Sequence, residues 1–232
     1  YWRDWSSDVC SSDLRMLDDR DEAAGDWAFH DRLFRARWRW DTPGRDRVVD
    51  GAAPPPFREP PSDVRISLPV PTGPASAEPT LWEATEERRT RREWSEEPVG
   101  QQALGALLWR TLRVVAEAPA TDVDGRPYRA VTRPVPSGGA LGSLDLWLHT
   151  RRVEGVEPAW WWYDPVDHAL VRAADSTAVG AVSSADHSPV FAVLTARHAR
   201  GAWKYPAWAQ ALELRDAGVI YYAVQVTAGE IG

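Results

Sequence analysis

The sequence predicts an α+β fold, and three observations carry that prediction. Helical and strand periodicities are interleaved from Thr80 onward, they do not alternate as βαβ units, and no GxGxxG or GxxxxGK[ST] loop joins a strand to a helix. Thr80-Leu-Trp-Glu83 is a capping box behind Pro79 and starts a helix expected to run to about Arg89. Leu104, Leu107, Leu108 and Leu112 recur at helical spacing and form the apolar face of a second helix, near 99–115. Residues 118–136 read as loop. Leu144, Leu146 and Leu148 alternate with Asp145, Trp147 and His149, which gives a strand with one wet face. Residues 160–163 and 169–172 read as a hairpin about Asp164-Pro165-Val166-Asp167. Residues 189–195 read as a buried strand, and 206–227 as a long helix or a helix pair.

The region before Thr80 has a different texture. In 15–50, Arg32, Arg35, Arg37 and Arg39 interleave with Phe34, Trp38 and Trp40. Basic residues among aromatics suit single-stranded nucleic acid or a membrane surface. They equally suit an amphipathic helix packing Leu33, Phe34 and Trp38 on a neighbouring domain, and the nearby Asp26, Asp31 and Asp41 favour that reading. Residues 51–79 are too rich in proline for regular helix, because proline lacks the backbone donor and fixes φ. They read as a linker or a surface-hugging arm with a short strand at 64–68. Residues 4–14, Asp-Trp-Ser-Ser-Asp-Val-Cys-Ser-Ser-Asp-Leu, are what one frame of a common sequencing-adapter oligonucleotide encodes. Residues 1–14, Cys10 included, are therefore expected to be an artefact. The domain over 80–232 is expected to be a C-terminally truncated fragment.

Composition narrows the function classes. Of 232 residues, 44% are hydrophobic and 26% charged, ordinary values for a globular domain with a core. The net charge of −7 supplies no overall basic field for nucleic acid or an anionic membrane. No apolar run reaches the roughly 20 residues of a membrane helix. A single cysteine excludes a disulfide framework, a thiolate zinc site and an iron–sulfur cluster. His149, His168, His187 and His198 lack metal-ligand spacing, so no metal is expected. A cytoplasmic location is expected, with no nucleic-acid or membrane partner.

Three constellations can carry chemistry. Arg88-Arg89-Thr90-Arg91-Arg92 closes the first helix, and guanidinium forks with a hydroxyl suit a phosphate; a solvated charged face with Glu86, Glu87 and Glu93 is the alternative. Ser137-Gly138-Gly139 precedes a strand, where paired glycines allow close backbone approach to a planar or phosphorylated ligand; a plain turn is the alternative. Lys204-Tyr205 precedes the last helix. A lysine can act as a base and a neighbouring tyrosine can shuttle a proton; an interfacial aromatic pair with a snorkelling lysine is the alternative.

Taken in order, these elements resemble the SagB-type dehydrogenases of the FMN-dependent nitroreductase superfamily. The resemblance rests on 88–94, Leu107-Leu108-Trp109, Arg133 through Ala140, Trp162-Tyr163-Asp164-Pro165, Lys204-Tyr205 and Asp216-Ala217-Gly218, and covers about 81–229. Phe29-His30 is similar to an upstream element of the family. The resemblance implies a nitroreductase-like fold, an antiparallel-rich mixed sheet flanked by helices. It also implies a homodimer with FMN at the subunit interface. Arg88, Arg89 and Thr90 would grip the FMN phosphate, and Arg92 would lie near the O2/N1 edge of the ring. Ser137, Gly138 and Gly139 would contact the flavin. Lys204 and Tyr205 would be catalytic, in oxidation of a thiazoline or oxazoline of a ribosomally made peptide to the thiazole or oxazole. A cyclodehydratase partner and a precursor peptide are implied. The sequence departs from the family pattern at Thr90, Trp94 and Gly142 and lacks the family's late Gly-Leu-Gly stretch. Two other readings stand beside this one: an NAD(P)H-dependent nitro or quinone reductase, and a flavin-free scaffold of a peptide-modifying complex.

Overall fold

The computed structural model describes residues 49–73, 79–90, 93–173 and 188–231. The expectations for residues 1–48, the adapter segment and the Arg/Trp-rich stretch among them, lie outside the described residues, as does Arg92. The elements in chain order are β1 (Arg65–Ser67), α1 (Leu81–Glu87), α2 (Gln101–Leu112), β2 (Ala116–Thr121), β3 (Pro127–Thr132), a 3-10 turn at Gly138–Ala140, β4 (Leu144–Thr150), β5 (Ala159–Asp164), β6 (Ala169–Arg172), β7 (Val190–Ala196), α3 (His198–Lys204) and α4 (Ala209–Ile231). Five strands form one sheet in the order β1-β6-β5-β4-β7, and every described pairing in it is antiparallel. No described helix is long and apolar enough to cross a membrane.

The capping box forms as expected: Thr80 Oγ1 accepts from Glu83 N–H, and the Glu83 carboxylate accepts from Thr80 N–H at 2.8 Å. Leu104, Leu108 and Leu112 of α2 pack with Leu144, Leu146 and Leu148 of β4, Trp161 and Tyr163 of β5, and Ile220 of α4. The helical and the alternating periodicities thus meet in one core. Gly105 lets the chain entering from β1 approach α2, because a Cβ there would stand 2.6 Å from the Pro69 carbonyl oxygen. Trp160, Trp161 and Trp162 are all buried and belong to the core.

Three expectations are corrected. The stretch 118–136 is not all loop: β2 and β3 form a two-stranded antiparallel hairpin. Its Ala- and Pro-containing strand is mostly exposed and shows no apolar alternation, so periodicity could not find it. The turn is set by Asp122, whose side chain accepts from the Asp124 and Arg126 amides, with Gly125 at φ +78°. The second face of β4 is not wet, because Asp145 is buried beneath Arg58 and Arg197. Strand β7 is half-buried at the sheet edge and not fully buried. The long helix expected within 206–227 does form, as α4, behind a separate short α3.

The proline-dense arm is bound to the domain. Carbonyls of Val49, Gly51, Pro54, Pro55 and Pro56 accept from Arg126, Trp203, Arg200 and Arg197. Prolines offer acceptors without competing donors, which suits a surface of guanidinium groups.

His168, beside the 164–167 turn, is 4% exposed. Its Nε2 faces the Pro69 carbonyl at 3.2 Å, an acceptor only, so Nε2 carries the proton. Its Nδ1 then accepts from the Tyr163 hydroxyl at 2.8 Å. Burial pushes the His168 pKa below its ordinary value of 6.5. The unfolded chain therefore takes up this proton first, and the stabilising contribution, complete above about pH 6.5, is lost as pH falls. Urea unfolding from roughly pH 8 to pH 5 is expected to show a decline that His168→Asn flattens.

Candidate functional site

The structure brings two of the three predicted constellations together. Ser137, Gly138 and Gly139 lie on the 3-10 turn before β4, and Lys204 and Tyr205 lie where α3 ends. Pro206 cannot continue α3, and Tyr205, at φ −131° and ψ 65°, turns the chain out of the helix. The Lys204 ammonium stands 3.5 Å from the Gly139 carbonyl oxygen. A Cβ on Gly139 would fall 2.5 Å from the Tyr205 hydroxyl oxygen and 3.1 Å from Lys204 Nζ. Gly139 also sits at φ +59°, in the left-handed region. Glycine is thus required twice at this position, by the backbone and by the two side chains that occupy its missing Cβ space.

The turn is anchored on α4. The Gly138 amide donates to the buried Asp216 carboxylate at 2.8 Å, and the other Asp216 oxygen lies 3.2 Å from the Arg215 guanidinium. Leu212 and Arg215, at i and i+3, pack against Gly138 from the same helix face. The Ser137 hydroxyl accepts from the Gly142 amide at 3.0 Å.

Three residues essential to this geometry were not assigned to the site from the sequence. Tyr128, on the unexpected hairpin, donates to the Gly139 carbonyl at 3.1 Å and accepts from Lys204 Nζ at 2.6 Å. Arg200, 1% exposed, donates to the carbonyls of Leu141, Pro54 and Arg129. Asp216 was visible as part of Asp216-Ala217-Gly218, but its bond to Gly138 was not. Tyr128 carried no signal, being a lone tyrosine in a stretch read as loop.

The site is cationic. Arg126 stacks on Trp203 at 4.3 Å and pairs with Asp122. Arg133, just before the Ser-Gly-Gly turn, has its pKa pushed down to about 10, mainly by burial, and Arg200 likewise to about 10. Burial also raises the pKa of Asp145 against the pull of Arg197, Arg58 and Arg133. Among the described residues no carboxylate pairs with Lys204, and no three His, Cys, Asp or Glu side chains cluster as a metal site.

The third constellation stands apart. Arg88, Arg89 and Thr90 follow α1, with Arg89 and Thr90 exposed and Arg89 donating to the Glu86 and Arg88 carbonyls. Helix α1 meets α4 near Gly229, where the Ala84 carbonyl approaches, whereas the Ser-Gly-Gly turn meets α4 at Leu212 and Arg215. These points are roughly 20 Å apart along the helix, at about 1.5 Å per residue. The donor chemistry fits a phosphate at Arg88–Thr90, while the Gly139 space is already filled by Tyr205.

Two solved structures share the architecture. A protein from Ralstonia eutropha JMP134, provisionally described as a nitroreductase, matches with a TM-score of 0.55 at 23% identity over 80% of each chain. One from Anabaena variabilis ATCC 29413, described in the same terms, matches with a TM-score of 0.58 at 20% identity, over 84% of this chain and 37% of that one. No family model and no curated protein matches the sequence. The likeness shows the fold: α+β, of the nitroreductase type.

Gly139→Ala is expected to cost about 1–3 kcal/mol in denaturant unfolding, from overpacking and the left-handed backbone together. In a Tyr205→Ala background the overpacking part disappears and a cost of about 1 kcal/mol from the backbone remains. Equal costs in both backgrounds would show that Tyr205 does not occupy the Gly139 space.

Proposed function

We propose that this chain is a flavin-dependent oxidoreductase of the SagB type, which oxidises thiazoline or oxazoline rings in a ribosomally made peptide to thiazole or oxazole. The observation that carries the reading is the junction of Lys204, Tyr205 and the Ser137–Gly139 turn, two separate parts of the sequence meeting at one point. FMN, when bound, supplies the two-electron acceptor that ring oxidation requires. In this reading Arg88, Arg89, Thr90 and Arg92 would hold the cofactor's phosphate and ring edge, and the Ser137–Gly138–Gly139 turn would present its backbone to the flavin, the Cβ space of Gly139 being taken by Tyr205 and Lys204. Lys204 takes a proton from the azoline ring carbon, and Tyr205 closes the loop beside it.

A second copy of the chain belongs to this proposal. The two cofactor-holding groups sit at opposite ends of α4, so one site draws one group from each subunit. Exposed Leu214, Tyr221 and Tyr222 on α4, with Leu81 and Trp82 on α1, give that pairing an apolar surface. A cyclodehydratase supplies the azoline, and the setting is the cytoplasm, where the precursor peptide is made.

A second reading, reduction of nitro compounds or quinones with NAD(P)H, draws on the descriptions of the two similar structures. Purified protein carrying FMN should convert azoline peptide to azole. Lys204→Met should keep the flavin's visible absorption and lose about 10²–10⁴-fold in turnover, the scale of general-base catalysis. Full azoline oxidation by Lys204→Met, or nitro and quinone reduction with no azoline oxidation by the native protein, would favour the second reading.

A further inference from the structure

Lys204 is the only lysine in the chain; the other 26 basic side chains of the Lys/Arg class are arginine. Arginine keeps its proton at any physiological pH, whereas a primary amine can release and recapture one. The single amine is also placed with care. Its nitrogen lies 2.6 Å from the Tyr128 hydroxyl oxygen, 4.1 Å from the Tyr128 ring centre and 5.4 Å from the Tyr205 ring centre. The Tyr128 hydroxyl has one proton and donates it to the Gly139 carbonyl. Its lone pairs are therefore left to face Lys204, which is the donor.

Other charged groups approach from each neighbouring element. Arg126 and Arg129 flank Tyr128 on the hairpin, and Arg200 lies one helical turn before Lys204 on α3. Arg215 and Asp216 of α4 lie behind the glycine turn, with both Asp216 oxygens engaged, by Gly138 and by Arg215. Among the described residues the acceptor nearest the amine is the Tyr128 hydroxyl at 2.6 Å, with the Gly139 carbonyl next at 3.5 Å.

We propose that Tyr128 is a positioning residue for Lys204: its hydroxyl, fixed by the Gly139 carbonyl, holds the lysine amine at the edge of the glycine turn where the substrate proton is taken. The proposal rests on the reading of Lys204 as the base. It extends the site to the β2–β3 hairpin, which also meets α3 through Arg126 and the Arg129 carbonyl.

The uniqueness of the lysine makes the test direct. Tyr128→Phe keeps the ring, and with it the packing on Trp203, and removes only the hydroxyl. Lys204 is acylated with an N-hydroxysuccinimide ester of acetate, and the rate is followed by mass spectrometry of the Lys204 peptide. Tyr128→Phe is expected to raise that rate about tenfold, the scale of one charge-assisted hydrogen bond, and to lower kcat for azoline oxidation with KM and flavin content unchanged. An unchanged acylation rate would overturn the proposal. If native protein oxidises no azoline while Tyr128→Phe still accelerates acylation, the base reading fails and the Tyr128 contact stands. A second measurement needs no variant. In native protein labelled with ¹³C at the lysine ε-carbon, the single lysine signal should show cross-relaxation to the Tyr128 ring protons, and its absence would also overturn the proposal.

Discussion

The geometry of the site depends on one buried guanidinium. Arg200 lies on α3, four residues before Lys204, and donates to the Leu141, Pro54 and Arg129 carbonyls at 2.5–2.7 Å. Those carbonyls belong to the glycine-rich segment, the proline arm and the hairpin that carries Tyr128. A planar fork with five fixed donors can satisfy three such acceptors in one place. Without it the buried Leu141 carbonyl loses its partner, at about 1–3 kcal/mol, and the part-buried Pro54 and Arg129 carbonyls lose theirs at a smaller cost. Near pKa 10, Arg200 remains charged at neutral pH, so its bonds are charge-assisted.

The same logic runs through the interior. Arg58, Arg133 and Arg197 gather around one carboxylate, Asp145, and Arg197 also donates to the Pro55, Pro56 and Gly142 carbonyls. Carbonyl oxygens take much of the role that carboxylates have elsewhere, which keeps the neighbourhood of Lys204 positive. That property belongs to packing and is invisible in the net charge of −7.

The fold was largely legible because its core elements obey a single period each. The α2 leucines, the inward leucines of β4 and the 164–167 turn form as their spacing predicts. The hairpin was not legible: Ala116, Pro119 and Pro127 have weak strand preference, and its faces are largely exposed. The site was legible in part. Ser137-Gly138-Gly139 and Lys204-Tyr205 could be named by residue type, but that they touch follows from α3 and the turn docking on one face of α4. Tyr128, Arg200 and Asp216 act through contacts across 76, 59 and 78 residues of chain, and no local pattern encodes such pairs.

The central claim is that Arg200 locks the arm, the glycine turn and the hairpin into one unit around Lys204. Amide hydrogen exchange of native protein and Arg200→Met tests it most directly. The account predicts faster exchange in the arm, the 137–142 segment and β3, with protection in β4, β5 and β6 retained. Unchanged protection in the 137–142 segment and β3 would contradict it, and would show that the site is held by other means.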